Sequence, residues 1–574
     1  MTRWFEPLAM VRLVLRIWST RRMADQREQP TDQPVAVFDY SEAEEFWFDY
    51  VADLGDAFDP TMCVAWQLGR TELLRADIDP QLRIQPEFGE PDFVPPLPAD
   101  DIPDVLPRGQ LLVMGGDQVY PNASTSRYRN QTLAPYELGW EPSETEDGTA
   151  AESGLLVLPA NHDWYGGIGP FREAFCSQAK IAGWRTAQRA SWWSARLPHN
   201  WWIWGIDTGL DGTINNMQYE YFRSVHKTMP SDARVIVCIP TPAWRLRERH
   251  VDQLDTLARS LLGLGVEPEV YLSGDYHIAA LHRRQRPDSE TEWHLTSGGG
   301  GAFQHPVHNL DFTIPNRQGG LPTPVVADDA PFNLVARWPS SSESRDQAGG
   351  WWHLLFDRAA ATLLATLAML QLPLMWLTGA NDRTADDSAR SVLETVADQA
   401  VPVGLIAGGG LILIATFVLA KSASAARGAI SWARSVGFVH GVLQAAVFGA
   451  AQLVGNLVIR RIPDSSIGVW AALAGTAIVA AVASIVVLGS YLRFANRRFR
   501  MHDNETYSAR HSGDNRHFAR FRIDQDGSLS CYSVAMRQAG SGWADALAND
   551  GVVPPPSASK PELIDVRFRT APTR

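Results

Sequence analysis

Leu111-Leu-Val-Met114, four apolar residues in a row, runs straight into Gly115-Gly-Asp117-Gln-Val-Tyr120. A short apolar run closed by a glycine turn reads as a buried strand, with the polar residues at its end. The pattern recurs along the chain. Asp53-Leu-Gly-Asp56 follows the run Phe46–Val51, Asn161-His162-Asp163 follows Gly154–Leu158, and Gly274-Asp275-Tyr-His277 follows Glu269–Leu272. Trp201–Ile206 and Val235–Ile239 are further runs of this kind, and stretches of helical spacing such as Val251–Leu264 separate several of them. Strand-then-helix alternation predicts an α/β sandwich whose working groups emerge at strand ends.

Carboxylate, amide and imidazole groups gathered at strand ends suit hard or borderline divalent cations, which polarise phosphate and activate water. Each cluster also has a plain reading: Asp53 and Asp117 as turn carboxylates, Asn161-His162-Asp163 as a loop, and His277 as a core histidine. Only the four clusters taken together, in this order, point to a site.

That order, D-x-G, G-D-x-x-Y, N-H-D and G-D-x-H, resembles the calcineurin-like metallophosphoesterase superfamily over about Asp39 to Val307. The resemblance implies a four-layer αββα sandwich with two divalent ions, manganese, iron or zinc, at the strand ends. Residue by residue, it implies that Asp53 binds the first metal, Asp117 bridges both and Asn161 binds the second. Asp275 and His277 complete the metal ligands. His162 would donate a proton to the leaving oxygen, with Asp163 orienting it. Tyr120 matches the iron-binding tyrosine of purple acid phosphatases, as a metal contact or as a hydroxyl behind the ligands. Gly55 stands in place of the usual first-motif histidine, as in the purple acid phosphatase pattern, and Ala160 replaces the glycine before Asn161. Asp275 occupies the first histidine position of G-H-x-H, as in alkaline phosphatase D-type enzymes. Val235–Ile239 leads into Pro240-Thr241-Pro242, where the family supplies another metal-binding histidine. Asp56, His250 and His282 are the substitutes the sequence offers, each with a structural reading beside it.

Ser297 followed by Gly298–Gly301 reads either as a loop offering backbone N–H groups to a phosphate or as a plain turn. His305 and His308 either face the site or cap that loop, and Asp207-Thr-Gly209 reads as a turn after its strand. The tryptophans of Trp192–Trp193 and Trp201–Trp204 suit a core, whereas Trp351–Trp352 suits a membrane interface.

Four apolar segments, Ala359–Ala380, Val401–Ala420, Val436–Ile459 and Ile467–Leu492, meet the roughly 20 residues a spanning helix needs. Lys421, Arg427 and Arg434 between the second and third spans, and Arg493, Arg497, Arg498 and Arg500 after the fourth, assign those connections to the cytoplasm. The acidic first connection suits the opposite side; Arg460 and Arg461 weigh the other way. The expectation is a multi-pass cell-membrane protein with the catalytic domain and both termini cytoplasmic. Its parts are an arm over 1–34, read as an interfacial helix or a frayed terminus, a catalytic domain over 35–350, spans within 359–492, a tail over 493–549, and a Pro/Ser-rich end over 550–574 expected to lack order. The tail carries a hairpin, Phe518–Asp524 and Ser528–Val534 around Asp526-Gly527, which either adds strands to the catalytic domain or forms an independent unit. Pro86–Pro107 and Glu141–Glu152 read as surface loops.

A net charge of -13 argues against a general nucleic-acid partner. The four cysteines, Cys63, Cys176, Cys238 and Cys531, show no ligand-like spacing and suit a reducing compartment. These readings point to a membrane-anchored hydrolase of phosphoester bonds whose phosphorylated substrate is lipid-linked, a nucleotide or a phosphoprotein, in contact with membrane lipid. A non-catalytic sensor or scaffold of the same fold is the alternative. A transport path is disfavoured because the spans hold few ionisable groups beyond His440.

Overall fold

In Phe46–Val51 alternate residues serve two different cores. Phe46, Phe48 and Tyr50 point to one face and Trp47, Asp49 and Val51 to the other, and every one is buried. A strand covered on both faces sits inside a layered structure. The computed structural model describes residues 35–75, 101–145, 148–177, 180–210, 214–242, 264–285, 291–314, 330–348, 351–356, 430–461, 466–508, 512–548 and 554–572, with a few isolated positions between them.

The chain divides into two units. One comprises chiefly Arg12–Ser344 and Ser512–Arg574, the other chiefly Arg345–His511. The first is a mixed α/β unit with two large sheets. Its 8-stranded sheet runs in the order Glu562–Arg569, Leu529–Met536, Arg516–Ile523, Phe46–Val51, Leu111–Met114, Ser153–Val157, Trp184–Arg185, Lys180–Ile181. Phe46–Val51, Leu111–Met114 and Ser153–Val157 are parallel neighbours, so their C-terminal ends open on the same edge. The 9-stranded sheet holds a parallel run of its own, Trp201–Gly205, Arg234–Ile239, Val270–Ser273 and Thr291–Ser297.

Three cores define the layers. Phe48, Leu111, Leu156 and Phe521 of the smaller sheet pack with Trp201, Ile203, Ile236 and Leu272 of the larger one. Outside the smaller sheet, helix Phe58–Gly69 contributes Met62, Val64 and Leu68. Outside the larger sheet, helix Asn216–His226 contributes Phe222 and Val225. The tryptophans expected in the core are there: Trp193, Trp201 and Trp204 are fully buried.

The tail hairpin joins the sheet. Arg516–Ile523 pairs antiparallel with Phe46–Val51 and with Leu529–Met536. Its turn is held from the larger sheet, where Trp201 Nε1 and Arg234 Nη1 donate to the Gly527 carbonyl at 2.9 and 2.8 Å. The end of the chain corrects the composition-based expectation of disorder. Glu562–Arg569 is an edge strand whose Ile564, Val566 and Phe568 reach the inter-sheet core. Pro86–Pro107 is likewise not wholly loop, since Val105–Pro107 pairs with Glu72–Leu74.

In the second unit, helices Ile430–Arg461 and Ser466–Phe499 are joined by Gln444 Nε2 donating to the Ser484 carbonyl at 3.2 Å and by a 4.3 Å ring stack of His440 on Tyr491. They contain two segments long and apolar enough to cross a membrane, Arg434–Gly455 and Ile467–Phe499. Phe438, Val439, Ile467, Trp470, Ile478 and Val479 on these helices are exposed. The segments Ala359–Ala380 and Val401–Ala420, most of the arm 1–34, and the helical stretch Val251–Leu264 up to residue 260 lie outside the described residues.

Candidate metal centre

Asp53, Asp117 and Asp275 each lie just beyond a parallel strand, and each adopts a left-handed backbone, with φ of 59°, 53° and 65°. Non-glycine residues in this region are uncommon, aspartate being among the few that enter it readily; such conformations concentrate at functional sites. Asp53 N donates to the Gly116 carbonyl at 2.9 Å and Leu54 N to the Asp117 carbonyl at 2.8 Å, locking the first two loops together. Asp275 N, from the other sheet, donates to Asp53 Oδ1 at 3.1 Å. Both sheets therefore deliver to one place.

Glycine makes the close approach feasible. A Cβ on Gly298 would collide with Asp53 Oδ2 and the Tyr276 carbonyl, and one on Gly274 would meet Ala52 Cβ at 2.5 Å and Asp53 Oδ2 at 3.2 Å.

The groups converge on the Tyr120 hydroxyl, which lies 3.3 Å from Asp53 Oδ1, 3.0 Å from Asp117 Oδ2 and 3.0 Å from His277 Nε2. His277 Nδ1 is 2.5 Å from the Phe303 carbonyl, which only accepts. Nδ1 therefore carries the ring hydrogen and Nε2 is a bare acceptor. One phenolic proton thus faces three acceptors, and Asp53 Oδ2 has no hydrogen-bond partner at all among the described residues.

Burial first, then the neighbouring Asp117 and Asp275 carboxylates, hold Asp53 well above the usual carboxylate range. Asp117 is raised by burial and then by Asp275. His277 is pushed well below its ordinary value by burial and by His305, whose ring stacks on it at 4.2 Å. No described lysine or arginine forms an ion pair with Asp53 or Asp117. Clustered carboxyl oxygens and a bare imidazole nitrogen, with no basic side chain paired to them among the described residues, are the donor chemistry of a divalent-cation site. Asp53, Asp117 and His277 are the residues that would hold one ion, with Asp275 and Tyr120 beside them. Among the described residues no three His, Cys, Asp or Glu are placed so that together they could hold a metal ion; the Tyr120 hydroxyl stands between Asp53, Asp117 and His277.

The residues expected around a second ion are engaged elsewhere. Asn161 Oδ1 accepts from His162 N at 3.1 Å and Asn161 Nδ2 donates to Tyr165 Oη at 3.0 Å. At the missing-histidine position Thr241 Oγ1 donates to Asp275 Oδ2 at 3.2 Å. Of the three substitutes, Asp56 is buried within electrostatic reach of Tyr120 and His162. His282 pairs with His294 across the larger sheet, and His250 lies outside the described residues.

His162 sits on the short helix Asn161–Trp164, its backbone N donating to Asp117 Oδ1 at 2.9 Å and its ring packed 4.3 Å from Tyr120. Its Nδ1 is 2.7 Å from the Pro121 carbonyl, and burial lowers its pKa to about 4. The role expected of Asp163, orienting this ring, falls to Pro121. Asp163 instead accepts from Ala160 N at 2.9 Å, from Tyr128 Oη at 2.6 Å and from Gln118 N at 3.3 Å. It ties the helix start to the Asp117 loop. Helix N-cap geometry draws the carboxylate to backbone N–H groups and away from the neighbouring ring.

Asp207, expected in a turn, and the glycine loop, expected as a phosphate-binding loop or a turn, both support the site. Asp207 accepts from Trp164 Nε1 at 3.1 Å and Ser191 Oγ at 2.6 Å, fixing the residue after Asn161-His162-Asp163. In the glycine loop, Gly298, Gly300 and Ala302 donate to the carbonyls of Ile278, Ala52 and Asp53 at 3.1, 2.9 and 2.9 Å. Those N–H groups are spent on framing Asp53 rather than offered to a phosphate. His308 turns to Ser344, 2.9 Å away, whereas His305 lies on His277.

No family model matches the chain, and no curated protein matches it. Among solved structures it is similar to GAP50, the anchor in the inner membrane complex of Plasmodium, at a TM-score of 0.30 and 13% identity, over 46% of this chain and 74% of that one. A likeness at that level carries no weight for the chemistry.

Proposed function

We infer that the chain is a membrane-anchored, metal-dependent phosphoesterase. The observation that carries this reading is the convergence of Asp53, Asp117 and His277, with Asp275, around the Tyr120 hydroxyl at the ends of strands from both sheets. A bound divalent cation would supply positive charge to polarise a phosphate oxygen and to acidify water. Asp53 and Asp117 would hold that charge, and Asp163 and Asp207 would keep the loops in register. His162, neutral at pH 7 by its lowered pKa of about 4, keeps its Nδ1 hydrogen on Pro121. A phosphate's negative charge beside the ring favours its protonated form, from which it would give a proton to the leaving oxygen.

The two apolar helices and the exposed apolar side chains they carry support attachment to a bilayer. Within this reading the spans number four, and the basic residues flanking them put the catalytic unit and both termini in the cytoplasm. The substrate is a phosphate ester or pyrophosphate, with a lipid headgroup the choice that membrane attachment favours. The protein in detergent should hydrolyse a generic phosphodiester or monoester with added manganese, iron or zinc. Asp117→Asn should lower turnover by roughly 10³-fold, the scale of several kcal/mol of lost charge stabilisation, and His162→Ala by about 10²-fold or more. Full activity in both variants would reject the assignment.

The engagement of Asn161 and Thr241 favours a second reading, a non-catalytic sensor or scaffold that holds one ion at most. Metal counting separates the two: two ions per chain with turnover supports the enzyme, one or none without turnover supports the scaffold.

A further inference from the structure

The start of the tail strand Arg516–Ile523 lies directly behind the candidate site. Asn515 Nδ2 donates to Gln304 Oε1 at 2.6 Å, Arg516 Nη1 donates to the Ala302 carbonyl, and His517 N donates to the Gly299 carbonyl at 3.2 Å. Three consecutive tail residues thus grip three points of one loop, 299–304. That loop does two things for the site. Its Ala302 and Gly300 amides donate to the carbonyls of Asp53 and Ala52, each at 2.9 Å. Its Phe303 carbonyl takes the His277 Nδ1 hydrogen at 2.5 Å, which fixes the ring with Nε2 toward Tyr120.

Arg516 is fully buried, and its guanidinium is otherwise held by the Asp514 carbonyl through Nε at 3.0 Å and Nη2 at 2.7 Å. It makes no direct ion pair with the carboxylates but stands within electrostatic reach of Asp53 and Asp56. Burying a cation whose hydrogen bonds go only to backbone carbonyls is expensive, which points to a role for its placement. The carbonyl it pins belongs to Ala302, one residue before the carbonyl that orients His277.

We propose that Arg516 is a positioning residue: brought in by the C-terminal strand, it clamps the 299–304 loop so that Phe303 holds His277 and Ala302 holds Asp53 in cation-binding orientation. The site is then incomplete until the last part of the chain has been made and has paired with Phe46–Val51. Loss of a partner that orients a ligand from behind typically costs about 10–100-fold in metal affinity. The affinity part of this proposal rests on the cation-binding reading above; the clamp itself does not.

The test uses full-length protein in detergent and compares Arg516→Met with Arg520→Met. Arg520 is an equally buried arginine on the same strand that bonds Asp49 instead. Two quantities are read: amide hydrogen exchange over 298–305, and the manganese concentration giving half of the maximal thermal stabilisation. Arg516→Met should speed exchange at Gly300 and Ala302 and raise that concentration by about tenfold, with Arg516→Lys recovering part of both. Arg520→Met should lower the melting temperature and leave both unchanged. Unaltered loop exchange in Arg516→Met, or equal loosening by Arg520→Met, overturns the clamp. If the wild type shows no response to manganese, zinc or iron, the cation reading falls, and the exchange comparison alone judges the clamp. Should Arg516→Met fail to fold, Arg516→Lys is read against the same two quantities, and wild-type loop exchange with wild-type manganese response in it overturns the clamp.

Discussion

Asp49 and Asp53 lie four residues apart, on and just beyond the same strand, and are buried to 2% and 0% exposure. They are solved in opposite ways. Asp49 receives Arg520 Nε and Nη2 at 2.7 and 3.1 Å and the Gly109 amide at 3.1 Å, so both its oxygens are engaged and its charge is matched. Asp53 meets two other carboxylates, a shared tyrosine hydroxyl and a single backbone amide, and one of its oxygens has no partner among the described residues. The same chain that supplies a fork of donors to one buried aspartate withholds it from the next. A fold that had only to bury Asp53 would have paired it or replaced it. The difference marks Asp49 as architecture and, under the proposed function, Asp53 as a group kept open for a cation from outside.

The largest consequence falls on the architectural pair. Arg520→Met leaves Asp49 buried without its partner and should destabilise the protein by about 3–5 kcal/mol, measured by thermal or denaturant unfolding. The double variant Asp49→Leu, Arg520→Met should recover most of that loss, because replacing both members with apolar groups removes the unpaired charge. A double variant as unstable as the single one would make Arg520's packing, rather than its pairing, the source of the effect.

The strands at the centre of both sheets were legible because burial on two faces writes continuous apolar runs. Phe46–Val51 and Leu111–Met114 are as read, and Val235–Ile239 begins one residue earlier in the structure. Strands that carry charge inward were not legible. Ala279–Gln285 reads Ala-Ala-Leu-His-Arg-Arg-Gln, and only the neighbouring strand reveals why: Arg284 is buried against Glu292 at 2.9 Å. Glu562–Arg569 was hidden by the Pro/Ser-rich residues that precede it, although its alternating Leu563, Asp565, Arg567 and Ile564, Val566, Phe568 has the period of a strand. At the site, the motif residues were legible one cluster at a time. Their support was not: Arg520 meets Asp49 across 471 residues, and Arg516 meets Ala302 across 214. No local spacing encodes such pairings. The detour of Asp163 from His162 to Tyr128 was equally invisible, since both are within reach of a carboxylate at that point in the chain.

Asp53→Asn sharpens the contrast with a smaller effect of opposite sign. Removing one member of a like-charged, buried set should stabilise the cation-free protein by about 1–2 kcal/mol, the worth of relieving one such contact, while abolishing stabilisation by manganese. Asp49→Asn should do the reverse, lowering stability and sparing the manganese response. Differential scanning calorimetry with and without the ion reads all four values. Loss of stability in Asp53→Asn without the ion would mean that Asp53 is structural after all.

The pH dependence carries the smallest effect and tests the same opposition. Asp53 and Asp117 have their pKa raised in the fold, so above the ordinary carboxylate value near 3.8 the folded chain holds more protons than the unfolded one. The stability this brings is present below that value and is lost as pH rises through the raised one. Buried His282 and His517, lowered to about 3, act the other way: their contribution is present above 6.5 and fades as pH falls toward 3. The cation-free protein is therefore squeezed from both sides, and an ion bound by Asp53 and Asp117 relieves only the alkaline side. The rise in melting temperature on adding manganese should grow from pH 5 to pH 8, by about 1 °C per kcal/mol of relieved repulsion for a unit of this size. In Asp49→Asn the growth should persist, and in Asp53→Asn it should vanish. A manganese effect flat across that range would place the ion away from these carboxylates and undo the distinction between the two aspartates.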